Sequence, residues 1–512
     1  MTSNMSDGQP TMATFSTVPD IEGRLPDIKD ETGLLAERAL INGPIGNETS
    51  HSIRRRIDLW ILPLLCVTYA LQFMDKTSMS YCAVYGILPD NEPRGPDYPW
   101  LISIFYFGYL TALCPGILIM QKVPLAKFLG LNIILWGIML MITRACHSFA
   151  CLATMRFFLG MFEATILPGF IAVTGIWWTR REQASRSSLW VSFLGVGSFV
   201  GTLMVYDYAK DHEQPADWRR IFLQLGSLAI VWGLFFLFLM PDGPASANLF
   251  NQNQKVVAIR RVKGNLTGTR SRRFVKAQVI EAVTDPKIIL LGLISFTNAI
   301  ASGGLAFGPL IIQGFGFSQL ETILWSLPLS TIQVLAQLGS GYLFSRVRNS
   351  RLHIASIVMI FPIVGAILIN KLPSASKWGR LFGVWLLAYY PVGFMVIIGL
   401  LSTNIAGTTK RSVATAWVFV CYCVGQISGP RFFESTEAPD YYNGIAAILC
   451  GFMLNITLNQ VLRLLYVLEN RRRDKALEGT SEEEIEALRK LSEWHGFEDA
   501  TDKENVMFRY AL

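Results

Sequence analysis

The sequence predicts an all-α membrane protein, with twelve transmembrane helices in two six-helix bundles. Three observations carry this. Hydrophobic residues fill 51% of the 512 positions and charged residues only 16%, where a soluble domain carries about 25% charged residues. The apolar residues gather into stretches long enough to cross a bilayer, which takes roughly 20 residues. These lie at 57–85, 99–120, 125–145, 150–177, 188–206 and 221–240, and after a polar gap at 287–312, 322–345, 353–370, 380–400, 412–432 and 443–468. Finally, with the N-terminus inside, the inner segments hold 25 Lys and Arg and the outer ones nine, the bias that orients membrane helices. An eleven-span count would invert half the loops and erase that bias.

Residues 1–55 read as a disordered cytoplasmic tail. They lack the basic start and apolar run of a signal peptide, so insertion relies on span 1. The first bundle covers 56–240. Its span 1 is too long for one straight helix and carries Asp75 and Lys76, so it is tilted or begins a longer element. Residues 241–286 form a linker that opens with Pro241-Asp-Gly-Pro244 and holds Arg260, Arg261, Lys263, Arg270, Arg272 and Arg273. No aromatics interleave with these cations to stack bases, so lipid headgroups suit them better than nucleic acid. The net charge of +7 fits the same inner surface. The second bundle covers 287–468, and 469–512 read as a cytoplasmic tail of mixed charge without identifiable chemistry. All eight cysteines lie in or beside apolar segments without metal-like spacing, so neither a disulfide framework nor a zinc site is expected. Trp177, Trp178 and Trp218 sit at span ends and read as interfacial belt residues, Lys410 and Arg411 as inner-face anchors. A monomer without a cofactor is expected.

Charges at bilayer depth need an interior partner or a water-filled cavity. In span 4, Arg156 and Glu163 are seven residues apart, about 20° around a helix and about 10 Å along it. Gly160 lies on the same stripe and is expected to leave open space between them. Two readings stand: the pair pins span 4 to a neighbour, or Arg156 anchors a substrate carboxylate beside a titratable acid. Arg suits the second role because its planar fork engages both carboxylate oxygens. Asp75 and Lys76, adjacent in span 1, point about 100° apart, so one is expected to face a cavity and the other a neighbouring helix. Lys76 joins Arg156 as a substrate-binding candidate, and Asp75 joins Glu163 as a proton-coupling candidate. Asn298, Asn404 and Gln426 are softer candidates that could bond substrate or a helix, and Glu434 is a fallback for coupling. Gly197/Gly201 and Gly425/Gly429 have the spacing for close helix packing.

Six plus six helices around a basic linker resemble the major facilitator transporters, and the residues narrow this. Arg156-Phe-Phe-Leu-Gly160-Met-Phe-Glu163-Ala-Thr-Ile-Leu-Pro168-Gly169 resembles the RFxxGxxEAxxxPG signature of the anion:cation symporter family. Leu71-Gln-Phe-Met-Asp75-Lys76-Thr77 is similar to its LDKT segment. Trp178-Thr-Arg-Arg-Glu-Gln183, Asn404-Ile-Ala-Gly-Thr-Thr-Lys410-Arg411, Gly425-Gln-Ile-Ser-Gly429-Pro430 and Ala438-Pro439-Asp440-Tyr441 follow in register. The resemblance runs from about 57 to 473 and is nearest to a fungal branch with allantoate, nicotinate, pantothenate and biotin permeases. There are departures. The superfamily motif GxxxDRxGRR, begun at Gly116, has Met120 for Asp and Gln121 for Arg; its second-half counterpart, from Gly341, has Ser345 for Asp. Span 5 reads Gly195-Val-Gly197-Ser-Phe-Val-Gly201 and lacks the GPxxGG of drug–proton antiporters.

The resemblance implies a secondary active carrier of a small organic anion, vitamin- or ureide-like, coupled to protons in the plasma membrane with both termini cytoplasmic. Its competitors are an exporter of a secondary metabolite or pathway product, and a substrate-sensing receptor on a transporter scaffold. A membrane-embedded enzyme would need a His/Asp/Glu cluster or a Ser–His pair at one depth, and the sequence offers neither.

Overall fold

The computed structural model describes residues 47–82, 97–210, 218–263, 275–347, 349–437, 440–478, 480–486, 488 and 499–512. Residues 1–46 of the expected disordered tail, the continuation of span 1 past Cys82, and linker residues 264–274 lie outside the described residues. Every expected span is helical where it is described. Spans 1 to 6 are Asn47–Cys82, Asp97–Lys122, Leu125–Thr143, Phe149–Glu163 with Ile166–Trp177, Arg180–Lys210, and Trp218–Leu239. Spans 7 to 12 are Pro286–Gly304 with Gly308–Gly314, Gln319–Arg346, Arg351–Val358 with Ile360–Lys371, Lys377–Leu387 with Pro391–Thr403, Thr408–Ser428, and Tyr442–Leu477. Two linker helices, Gln252–Lys263 and Lys276–Thr284, lie between the sets. The face that carries them is called the linker side below.

Among the described residues, eleven of these helices are apolar and long enough to cross a membrane. Span 8 is the exception for a local reason. It is 28 residues long, but it buries Ser326, Ser330, Gln333, Gln337 and Ser340. That polar stripe packs lengthwise on span 5, so it is sheltered from lipid by the other half of the protein.

Four spans are broken, and proline places each break. A proline ring clashes with the carbonyl four residues earlier and offers no N–H. Pro168, Pro309, Pro362 and Pro391 therefore act on positions 164, 305, 358 and 387, where the first helical segments of spans 4, 7, 9 and 10 end or have just ended. Pro63, Pro115 and Pro328 sit inside unbroken helices, so proline alone is not sufficient.

Packing is close where glycine removes the side chain. A Cβ on Gly160 would run into the carbonyl of Phe105 in span 2, and one on Gly108 into the carbonyl of Phe157 in span 4. The expected gap at Gly160 is therefore filled by a helix backbone. Gly197 meets Ala70 of span 1 in the same way, and Cβ atoms on Gly425 and Gly429 would each fall 2.6 Å from a span 7 carbonyl. Within the first six spans, 1 packs on 5, 2 on 4 and 3 on 6; within the last six, 7 packs on 11 and 12, and 9 on 10. The two sets meet where span 5 packs on 8, span 2 on 11, and span 10 on 4 and 5.

Three sequence expectations are corrected here. Trp177, Trp178 and Trp218 are buried, not interfacial, and the Trp178 indole N–H donates to Asp58 at 2.7 Å. Cys146 and Cys151 form a disulfide across the turn between spans 3 and 4, which brings their Cα atoms to 5.4 Å. The tail is not plain: residues 499–512 fold back on the linker side and bury Thr501, Asp502, Phe508 and Tyr510.

Candidate functional site

A cavity of about 220 Å³ lies between the two sets of six spans. The breaks of spans 4, 7 and 10 open onto it through Leu167, Leu305, Pro309, Tyr390 and Pro391. Interrupted helices at such a depth are tolerated where they line a cavity instead of lipid. Aromatic rings form part of its walls, with Tyr106 of span 2 meeting Tyr422 of span 11 edge-on at 6.0 Å between ring centroids. The halves touch on both sides of it. On the linker side Gly341 packs directly on Ser188, and on the opposite side the Arg431 guanidinium lies 3.5 Å from the centre of the Trp100 ring.

Among the described residues, two charged side chains line the cavity, Lys76 and Arg156, and both are cations of the first half. Arg156 is held by the first segment of span 4, whose start is capped by Ser148 accepting from the Cys151 N–H at 3.3 Å. It is 5% exposed and stacks over Phe222 at 5.6 Å. Among the described residues it has no acid within ion-pair distance, and its Nη2 has no hydrogen-bond partner. Lys76 reaches the cavity over the rings of Phe73 and Phe105, at 5.0 and 5.4 Å.

The two acids stand one layer behind. Glu163 is fully buried and pairs with Lys76 at 2.6 Å. Arg156 and Glu163 do share a stripe, yet Glu163 pairs with span 1 while Arg156 faces the cavity. Asp75 is also fully buried, and neither carboxylate oxygen has a hydrogen-bond partner. Its neighbours are Arg156, Lys76 and the Trp136 indole, whose N–H is likewise unbonded. So of the adjacent pair in span 1, Lys76 faces the cavity and Asp75 the helices of its own half.

The second half contributes uncharged groups. Asn298 lines the cavity and donates to the Tyr390 carbonyl at 3.2 Å, just before Pro391. Gln426 lines it too, donating to Ser302 Oγ at 2.8 Å and to the Tyr422 hydroxyl at 2.9 Å. Asn404 does not belong. It sits on the linker side, where its amide donates to the Ala511 carbonyl at 2.8 Å and accepts from the Ala511 N–H at 2.9 Å. A tail partner 107 residues away could not be read from spacing. Glu434 is exposed on the opposite side and accepts from Thr436, away from both buried acids. Lys410 is no surface anchor: it is buried among Glu281, Asp285 and Asp502 at 2.8, 3.5 and 2.6 Å.

Sequence reasoning passed over Tyr69, Gln72, Phe105, Tyr109 and Tyr422. The signal was present. Tyr69, Gln72 and Lys76 form one i, i+3, i+7 stripe, while Phe105/Tyr109 and Tyr422/Gln426 are i, i+4 pairs.

Comparison with known proteins agrees with this architecture. The Major Facilitator Superfamily profile matches residues 65–430. The chain is 35% identical over 490 residues to an uncharacterised transporter of Schizosaccharomyces pombe, covering 95% of this chain and 92% of that protein. It is 30% identical over 515 residues to allantoate permease of Saccharomyces cerevisiae, covering 97% and 93%. With the thiamine pathway transporter THI73 of the same yeast it shares 31% over 492 residues, covering 94% and 91%. Among solved structures it resembles the human organic anion transporter MFSD10, with TM-score 0.57, 12% identity, and 79% of this chain and 99% of that chain covered. It also resembles a bacterial homologue of the human lysosomal transporter Spinster in an inward-facing and occupied conformation, with TM-score 0.53, 14% identity, and 80% and 96% covered. At such identities the likeness is one of fold. The profile and these relatives together make the chain a multi-pass membrane transporter of small molecules, not an enzyme, and a member of the Major Facilitator Superfamily.

Proposed function

We propose that this transporter carries a small organic anion together with protons, by alternating access, in the manner of the anion:cation symporters. One observation supports this above the rest: among the described residues, the charged side chains lining the central cavity are two cations, with no acid in its wall. A carboxylate entering there meets Arg156, whose fork has an unbonded nitrogen, and Lys76, which is committed to Glu163. The substrate therefore competes with Glu163 for Lys76. A carboxylate without its partner at this depth is stable only when neutral. Arrival of the anion thus favours arrival of a proton on Glu163, and this is the coupling. Asp75, between Arg156 and Lys76, is the second acid able to take part. Asn298 and Gln426 supply amides for the uncharged part of the substrate. The linker side is read as cytoplasmic. The Cys146–Cys151 disulfide, on the opposite side, fits an oxidising exterior.

The test separates accumulation from exchange. Glu163→Gln and Asp75→Asn carriers are compared in proteoliposomes loaded with candidate carboxylates, at acidic and neutral external pH. The coupling variant loses concentrative uptake but keeps substrate-for-substrate counterflow, which needs no net proton movement. If both variants still concentrate substrate in a pH-dependent way, coupling through these acids is excluded.

A further inference from the structure

The turn between spans 10 and 11 is built largely from outside itself. Span 11 begins after Gly407, which has no side chain to cap it and adopts φ +89°, a conformation that favours glycine. The caps come from elsewhere. Asp499 accepts from the Thr408 N–H at 2.7 Å and from its hydroxyl at 2.6 Å. Gln278 of the second linker helix accepts from the Thr409 and Lys410 N–H groups, both at 3.1 Å, and is itself held by donating to the Asp499 carbonyl at 2.8 Å. A Cβ on Gly407 would press on Gln278 Oε1 at 3.0 Å and on Thr501 at 3.2 Å. Asn404 is clasped by Ala511, and the Ala406 N–H reaches Asp502 at 3.4 Å.

The tail that does this is itself anchored. Asp502 pairs with Lys410 and accepts from the Tyr510 hydroxyl at 2.6 Å, and burial pushes the Tyr510 phenol well above its ordinary range, so it stays a donor. Arg473 of span 12 donates to the carbonyls of Asp502 and Phe508 at 3.0 and 2.8 Å. The Leu512 carbonyl accepts from the Arg351 N–H at the start of span 9 at 2.8 Å. One short segment thus ties together the linker-side ends of spans 9, 10, 11 and 12.

This turn faces the other half. Arg411 folds back on the Ile405 carbonyl through Nε and Nη2, at 3.2 and 2.9 Å. Its Nη1 lies 3.8 Å from the place a Cβ on Gly175 would occupy, near the linker-side end of span 4. Span 10, which leads into the turn, packs on spans 4 and 5. When the linker side opens in alternating access, this contact must part.

We propose that residues 499–512 are a built-in strap that sets the shape of the span 10–11 turn and so holds the linker side of the carrier closed. The proposal rests on the alternating-access reading, but its readout needs no substrate, so failure to find a substrate and failure of the strap are separate results. The reporter is Ser188→Cys, a 4% exposed position of span 5 packed against Gly341 of span 8 on the linker side. Cys114 and Cys450, the exposed native thiols among the described residues, are replaced. Purified carrier in nanodiscs is titrated with a membrane-impermeant maleimide, with and without deletion of 499–512, and with the paired substitutions Asp499→Ala and Asp502→Asn in the full chain. Releasing the strap raises the labelling rate about tenfold, the effect of one lost charge-assisted bond on a two-state equilibrium. A synthetic peptide of residues 499–512 added to the deleted carrier returns the rate to that of the parent. Parental labelling rates in the released carriers would overturn the proposal. So would faster labelling that the peptide cannot reverse, because that marks general loosening. If the deleted chain does not reach the membrane, the Asp499/Asp502 pair decides by the same rates.

Discussion

Replacing Lys76 by Met removes the partner of Glu163 and one of the cations beside Asp75, while Met keeps most of the stem that packs on Phe73 and Phe105. Glu163 is then left fully buried, its oxygens without hydrogen-bond partners. Leaving one member of a buried pair uncompensated costs about 3–5 kcal/mol. The carboxylate can avoid that only by taking a proton. A free glutamate titrates near 4.3, so neutralising it costs about 3.7 kcal/mol at pH 7 and about 1 kcal/mol at pH 5. The smaller of the two routes sets the loss. Lys76→Met is therefore expected to be destabilised by roughly 3–4 kcal/mol at pH 7 and about 1 kcal/mol at pH 5. The sign follows from protonation: acid shrinks the deficit because it neutralises the orphaned acid. Thermal unfolding of purified carrier in nanodiscs at the two pH values reads it, with Lys76→Met/Glu163→Gln as the rescue. The double variant recovers most of the loss at pH 7 and shows little pH dependence. If Lys76→Met unfolds with the parent at both pH values, or if Glu163→Gln fails to rescue it, the buried pair does not do what its geometry implies.

Three further predictions test the same region. Arg156→Lys keeps the charge but loses the two-pronged fork, so uptake is expected to fall about tenfold or more with membrane abundance unchanged; normal transport by Arg156→Gln would remove Arg156 from the anion site. Gly160→Ala drives a methyl into the Phe105 carbonyl of span 2, an overpacking of about 1–3 kcal/mol or more that lowers the thermal midpoint. Ser148→Ala, on the same helix but at its cap, is expected to lose only about 1 kcal/mol.

The crossing helices, their order and the acid–base stripe of span 4 were legible in the sequence. Membrane spans are read from local composition, and the 3.6-residue period places Arg156 and Glu163 on one face wherever the helix packs. The breaks of spans 4, 7, 9 and 10 each lie within four residues of a proline, but they were not read from the sequence, because Pro63, Pro115 and Pro328 leave their helices whole. What a side chain on that face meets is another matter. Gly160 looked like space and is contact, because span 2 lies against it. Lys76 stood beside Arg156 as a substrate-binding candidate and is paired, because span 1 brings it to Glu163, 87 positions away. The tryptophans at span ends looked interfacial and are covered by neighbouring segments. The tail showed least of all. Its mixed charge reads as a solvated end until Asp502 is seen beside Lys410 and Ala511 beside Asn404, partners separated by 92 and 107 residues. The sequence by itself thus determined which segments cross the membrane and which charges must be inside it, since those follow from the transfer of each stretch out of water. Only the tertiary structure decided which cation keeps its acid, which faces the cavity and where the tail binds, because hydrogen bonds and ion pairs act over a few ångströms between groups whose separation along the chain carries no trace of that distance.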